Sequence, residues 1–91
     1  MYRIFETENF LKSMEHDFGG QRGRITKKLK EYVYPQLQVS PEFGANIKKL
    51  RDWHPPTWRY RIGPYRFFFE IDQQKKIVFM ILAEHRGKAY R

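Results

Sequence analysis

Cysteine is absent from the chain, and that one absence removes disulfides, thiolate metal sites and a cysteine nucleophile together. It fits a reducing cytoplasm, the expected location. Long apolar runs are missing as well. The longest, Ile77 to Ala83, falls far short of the roughly 20 residues a membrane span needs. The start, Met1-Tyr2-Arg3-Ile4-Phe5-Glu6, carries charge at once and has no apolar leader region. No membrane partner is expected. The three histidines lack a spacing such as HExxH, and neither a Walker A nor a GxGxxG pattern occurs, so neither a metal nor a cofactor is expected.

Acidic residues are also scarce, 10 against 18 basic ones, for a net charge of +8. On so short a chain this concentrates positive potential, which draws phosphate backbones, anionic membranes or an acidic protein. Charge alone does not choose among them, but its distribution narrows the field. Arg22, Arg24, Lys27, Lys28 and Lys30 form one run. Arg59, Arg61 and Arg66 form another, and Arg86, Lys88 and Arg91 close the chain. Against these stand eight Phe, six Tyr and two Trp, the side chains that bury most area per residue in a small core. Residues 1–91 read as a single domain.

Tyr2 to Phe5 is short, aromatic and β-branched, and predicts a first strand. Thr7 can cap a helix in which Phe10, Leu11, Met14 and Phe18 recur at helical spacing, ended by Gly19-Gly20. A second helix starts near Gln21, with Ile25, Leu29, Tyr32 and Val33 as its apolar stripe, and Pro35 is expected to end or kink it. Ser40 to Gly44 reads as a loop, and Ile47 to Leu50 can begin a strand. The period then changes to two. Trp58, Tyr60 and Ile62 alternate with Arg59 and Arg61, Gly63-Pro64 makes a turn, and Tyr65 to Ile71 and Lys76 to His85 follow as strands. Ile77 to Ala83 is apolar at every position, so that strand is expected to be central or covered on both sides. The fold class is α+β, two N-terminal helices packed on a small antiparallel sheet in the order β-α-α-β-β-β.

Strand phase carries the functional argument. The helices need the face of Trp58, Tyr60 and Ile62, which leaves Arg59 and Arg61 projecting from the open face. That pair is either a solvated strand face or a site where an anion regularly sits between two like charges. Arg66 lies among Tyr65, Phe67, Phe68 and Phe69, an arrangement that suits a cation–π contact or the stacking of an RNA base equally. Glu84-His85-Arg86-Gly87-Lys88-Ala89-Tyr90-Arg91 brings an imidazole, several cations and a phenol together at a strand end. Histidine titrates near neutral pH, whereas arginine stays charged and stabilises an anion without acting as a base. His16 and His54 read as surface and structural residues respectively.

An ordered set of segments resembles the RelE/ParE toxin superfamily. It runs Asn46-Ile47-Lys48-Lys49-Leu50, Trp58-Arg59-Tyr60-Arg61-Ile62-Gly63, Tyr65-Arg66, Glu70-Ile71-Asp72, then Ile81-Leu82-Ala83-Glu84-His85-Arg86 and Tyr90. The resemblance implies a microbial-RNase-like RelE fold and the toxin of a type II toxin–antitoxin system. It implies a metal-independent endoribonuclease that cuts mRNA in the ribosomal A site and is held in check by a cognate antitoxin protein. Carried over by position, Arg61, Arg66, His85, Arg86 and Tyr90 become the catalytic set, and Arg59, Lys48, Lys49 and Lys88 contact RNA. Arginine at 59 and 61 stands where the family has lysines, which keeps the charge and removes any neutral amine base. That departure makes His85 the attractive acid or base. The alternatives are a ParE-like toxin that poisons gyrase, or a non-catalytic RNA-binding member.

Overall fold

The computed structural model describes residues 1–85, apart from the side chains of residues 17–19. Arg86, Lys88 and Tyr90 therefore lie outside the described residues, as does the side chain of Phe18. Strand β1 (Arg3–Glu6) leads into helix α1 (Glu8–Phe18), followed by a 3-10 turn, Gly19–Gln21. A continuous helical stretch then comprises α2 (Arg22–Lys28), a π-helical turn (Leu29–Val33) and α3 (Tyr34–Val39). Strands β2 (Ile47–Lys49), β3 (Trp58–Ile62), β4 (Tyr65–Asp72) and β5 (Ile77–His85) complete the chain. Two helical stretches on one sheet agree with the α+β class expected from the sequence.

Thr7 starts α1 as anticipated. Its Oγ1 accepts from the Phe10 amide at 3.1 Å and donates to the Met80 carbonyl at 2.7 Å, which ties the cap to β5. Phe10 and Met14 are buried, while Leu11 lies at the margin.

Pro35 neither ends nor sharply breaks the second helix. The chain widens into the π turn before it, where the Tyr34 amide donates to the Leu29 carbonyl, and proline occupies the first turn of α3. Proline has no amide to give the preceding turn, and here it comes just after the wider one. The widening has a second effect. Ile25, Leu29, Val33 and Leu37 recur every fourth residue and are all buried. An α-helix of about 3.6 residues per turn drifts against such a repeat, and one wider turn takes up the drift. Tyr32, expected on the apolar stripe, is instead turned outward and 62% exposed.

The sheet has the order β1-β5-β4-β3-β2. It is mixed where an antiparallel sheet was expected, because β1 pairs with β5 in parallel, Ile4 opposite Val78. The helical layer carries the chain from β1 across the sheet, and the meander β2-β3-β4-β5 brings it back beside β1. As anticipated, β5 is an inner strand. One face of the sheet packs Tyr60, Phe67, Phe69, Val78, Met80 and Ala83 against Phe10, Met14, Ile25, Leu29, Val33 and Leu37. The other face is open.

Register between β4 and β5 slips once. Phe68 pairs with Leu82, but Phe69 pairs with Met80, which leaves Ile81 as an extra residue in β5. Ser13 of α1 sits over the segment that follows. Its buried hydroxyl donates to the Phe10 carbonyl at 2.7 Å and accepts from the Ala83 amide at 2.9 Å.

Candidate nucleic-acid interface

Partners in register share a face of the sheet, so the pairing identifies which side chains meet on the open side. One row across it is Arg61, Arg66 and Glu84. The next is Lys48, Arg59, Phe68 and Leu82. Further along lie Phe5, Phe79 and Glu70, then Arg3, Ile77 and Asp72. Lys48, Arg59, Arg61 and Arg66 thus gather at one end of the open face beside Glu84, while at the other Arg3 stands with Glu70 and Asp72. A concavity of about 430 Å³ at that other end is lined by Glu70, Ile71, Asp72, Gln73, Gln74 and Phe79. Its carboxylates would repel phosphate, so an anion is directed to the arginine end.

Within the arginine rows the side chains are held differently. Arg66 donates through Nη2 to Glu84 Oε1 at 3.0 Å, and the two side chains are only 16% and 30% exposed. This ion pair fixes the Arg66 guanidinium and offsets part of its charge. Arg61, its neighbour on β3, is exposed and has no ion-pair partner among the described residues. Arg59 is half-buried, and its Nε is buried with no hydrogen-bond partner among the described residues. A desolvated donor without an acceptor is costly, and a bound anion would remove that cost.

The open face therefore unites Lys48, Arg59, Arg61 and Arg66 of the expected set. It does not include Lys49 or His85. Lys49 pairs with Trp58 on the helix side and lies 5.3 Å from the indole centroid. His85 pairs with Tyr65 on that same side, the two rings edge to face at 5.1 Å and 80°. The slip at Ile81 is the reason. Uninterrupted alternation from Val78 and Met80 would send His85 to the open side. The extra residue reverses the phase and sends Glu84 there instead.

Two residues of this face escaped the sequence reading. Glu84 stands in the last strand and in the resembling segment without a role, since an apolar strand gives no sign of its bulge. Trp53, in the turn between β2 and β3, lies flat on Phe68, with ring centroids 5.7 Å apart and planes 9° from parallel. It lies in a stretch, Trp53-His54-Pro55-Pro56, whose prolines mark only a break between strands. His54, beside it, is exposed, as is His16 on α1. The basic run of α2 is partly paired, Arg22 with Glu15 at 3.3 Å and Lys27 with Glu31 at 4.0 Å, as a solvated helix face would be.

The chain is a small basic α+β domain whose open sheet face carries aligned arginines, and solved structures share its fold. No family model matches the sequence, and no curated protein does. Solved structures do, over nearly the whole chain. The toxin–antitoxin complex RelBE2 from Mycobacterium tuberculosis matches at 25% identity and a TM-score of 0.71, covering 93% of this chain and 98% of the other. The intact E. coli RelBE complex matches at 26% identity and a TM-score of 0.65, over 92% and 95% of the two chains. The RelB-RelE complex from Methanococcus jannaschii matches at 26% and 0.64, over 94% of each. The fold is that of the RelE toxins, and these likenesses support a RelE-like toxin of a toxin–antitoxin system.

Proposed function

We propose that this toxin is an endoribonuclease that cuts mRNA on its open sheet face, at the ribosome, and so arrests translation in the cytoplasm. The observation that carries the reading is the row Arg61-Arg66-Glu84, two cations and a carboxylate in register on the face the helices leave free. Cleavage of RNA through its own 2′-hydroxyl requires cations at the phosphorane and a group to accept the hydroxyl proton. Arg61 and Arg66 supply the cations, and Arg59 with Lys48 orients the backbone. Glu84 becomes the proton acceptor in preference to His85, because it is the titratable group that shares this row. Arg86 and Tyr90, outside the described residues, complete the set that the resemblance implies, Arg86 as a further cation at the phosphate and Tyr90 in proton transfer. No step calls for a metal.

Several of the structures it resembles are toxin–antitoxin complexes, and this chain is expected to have an antitoxin partner of its own. An acidic segment that covered the arginine end would neutralise both the charge and the activity.

Mapping transcript ends after induction tests the reading. New ends at codon-related positions are expected, and they should vanish in an Arg61→Ala/Arg66→Ala variant that still folds. Toxicity with intact transcripts and broken DNA would overturn the ribonuclease and favour a gyrase poison. Intact nucleic acid and unimpaired growth would leave only a binding module.

A further inference from the structure

The open face contains an aromatic feature that phosphate cleavage does not use. Phe68 points to the open side of β4, where a phenylalanine would ordinarily be wet, yet it is only 6% exposed. Trp53 covers it. An indole that lies parallel to the ring beneath it has one face spent and the other turned to solvent, and Trp53 remains 46% exposed. The turn that carries it is held at both ends. The Leu50 amide donates to the Thr57 carbonyl at 2.9 Å, and buried Thr57 donates its hydroxyl to the Pro55 carbonyl at 2.9 Å. Asp52 adopts a left-handed conformation (φ 63°) immediately before the tryptophan.

Cations flank this platform. Phe68 pairs with Arg59, and Arg59 with Lys48, so the stacked rings lie in the second basic row. Arg59 and Arg61 are two residues apart on β3, about 7 Å at ordinary strand rise, which separates the platform's row from the row of Arg66 and Glu84. A flat aromatic surface beside cations is what single-stranded nucleic acid uses, the base stacking while the backbone tracks the charge. An exposed tryptophan serving only to cover Phe68 would need no cations in its row and no anchored turn.

We infer that Trp53, backed by Phe68, is a nucleobase-stacking subsite that holds an unpaired base next to the nucleotide whose phosphate lies at Arg61 and Arg66. The inference rests on the RNA-cleaving reading of this face and adds a position that sets where along the strand the RNA sits. Arg59 and Lys48 hold the phosphate of the stacked nucleotide. Stacking tolerates any base and favours purines, whose rings overlap an indole most fully.

A short single strand of 2′-O-methyl RNA, which cannot be cleaved through its own 2′-oxygen, serves as the probe. Tryptophan fluorescence reports the contact, since the other tryptophan, Trp58, is buried on the opposite face. Titration of the wild type is expected to quench emission. Trp53→Phe should lose the quenching and bind within about twofold of wild type, because a ring remains. Trp53→Ala should bind about tenfold more weakly, within the range for losing one stacked base. A strand with abasic sugars should bind wild type and Trp53→Ala alike. Equal affinity of Trp53→Ala and wild type for the intact strand would overturn the subsite, as would quenching that persists in Trp53→Phe. If wild type itself binds no strand, the RNA reading of the face fails, and the subsite with it; binding indifferent to Trp53 removes the subsite alone.

Discussion

Glu84 and Tyr34 show how a carboxylate or a phenol takes its character from its neighbours. Glu84 accepts from Arg66, and glutamine at that position keeps an oxygen for the same hydrogen bond while losing the capacity to take a proton. Glu84→Gln is therefore expected to preserve the fold but to lower the cleavage rate by about 10²–10⁴. A rate unchanged from wild type would leave Glu84 as an anchor for Arg66 and nothing more. Tyr34 makes a different prediction. Its hydroxyl donates to Glu6 at 2.6 Å, and its pKa is raised far above the usual phenol range, first by burial and then by the hydrogen bond and charge of Glu6. A raised folded-state pKa stabilises the protein below the unfolded value and loses that contribution as pH climbs through it. Wild type should thus weaken as pH passes about 10. Tyr34→Phe should be about 1 kcal/mol less stable near neutrality and lose that alkaline component, as denaturant melts across the range would measure.

At the level of elements, β3 was the most legible part of the chain, since alternation at Trp58, Arg59, Tyr60, Arg61 and Ile62 determines both its existence and its facing. The sheet's cationic end followed directly. What the sequence hid was phase elsewhere. In β5, apolar residues occupy every position from Ile77 to Ala83, so no pattern marks Ile81 as the extra residue, and the exchange of Glu84 for His85 on the open face could not be read. The π turn at Leu29–Val33 hid in the same way, because helical spacing alone does not say where a turn widens. Ser13 gives the bulge an experimental handle. Its hydroxyl receives the buried Ala83 amide just beyond the slip. Ser13→Ala leaves that donor without its acceptor, which should cost about 1–3 kcal/mol in urea unfolding. Cleavage should fall further than that stability loss accounts for, since Glu84 follows Ala83 and depends on the same local register. A loss of stability with full activity in the folded fraction would show that the register holds without Ser13.

The whole molecule is a dipole of a kind, with its helical layer on one side and a face that runs from arginines to carboxylates on the other. A net charge of +8 brings any polyanion near, but the distribution decides how it lies. Glu70 and Asp72 keep the strand away from the far end, and Glu84 offsets part of Arg66, so at the arginine end Lys48, Arg59 and Arg61 are the cations with no ion-pair partner among the described residues. Each phosphate neutralised on a single strand contributes roughly −0.7 to the slope of log affinity against log salt. Two phosphates, one at Arg61 and Arg66 and one at Arg59 and Lys48, predict a slope of about −1.4 from this face, and Arg59→Ala should reduce its magnitude by up to roughly 0.7. Removing Lys30 on the helical side should leave the slope alone, which separates a localised groove from diffuse attraction. Trp53→Ala should weaken binding at every salt concentration without changing the slope, because stacking releases no counterion. A slope that responded equally to Lys30 and Arg59 would mean that RNA is attracted to the molecule as a whole and is not held on the arginine face.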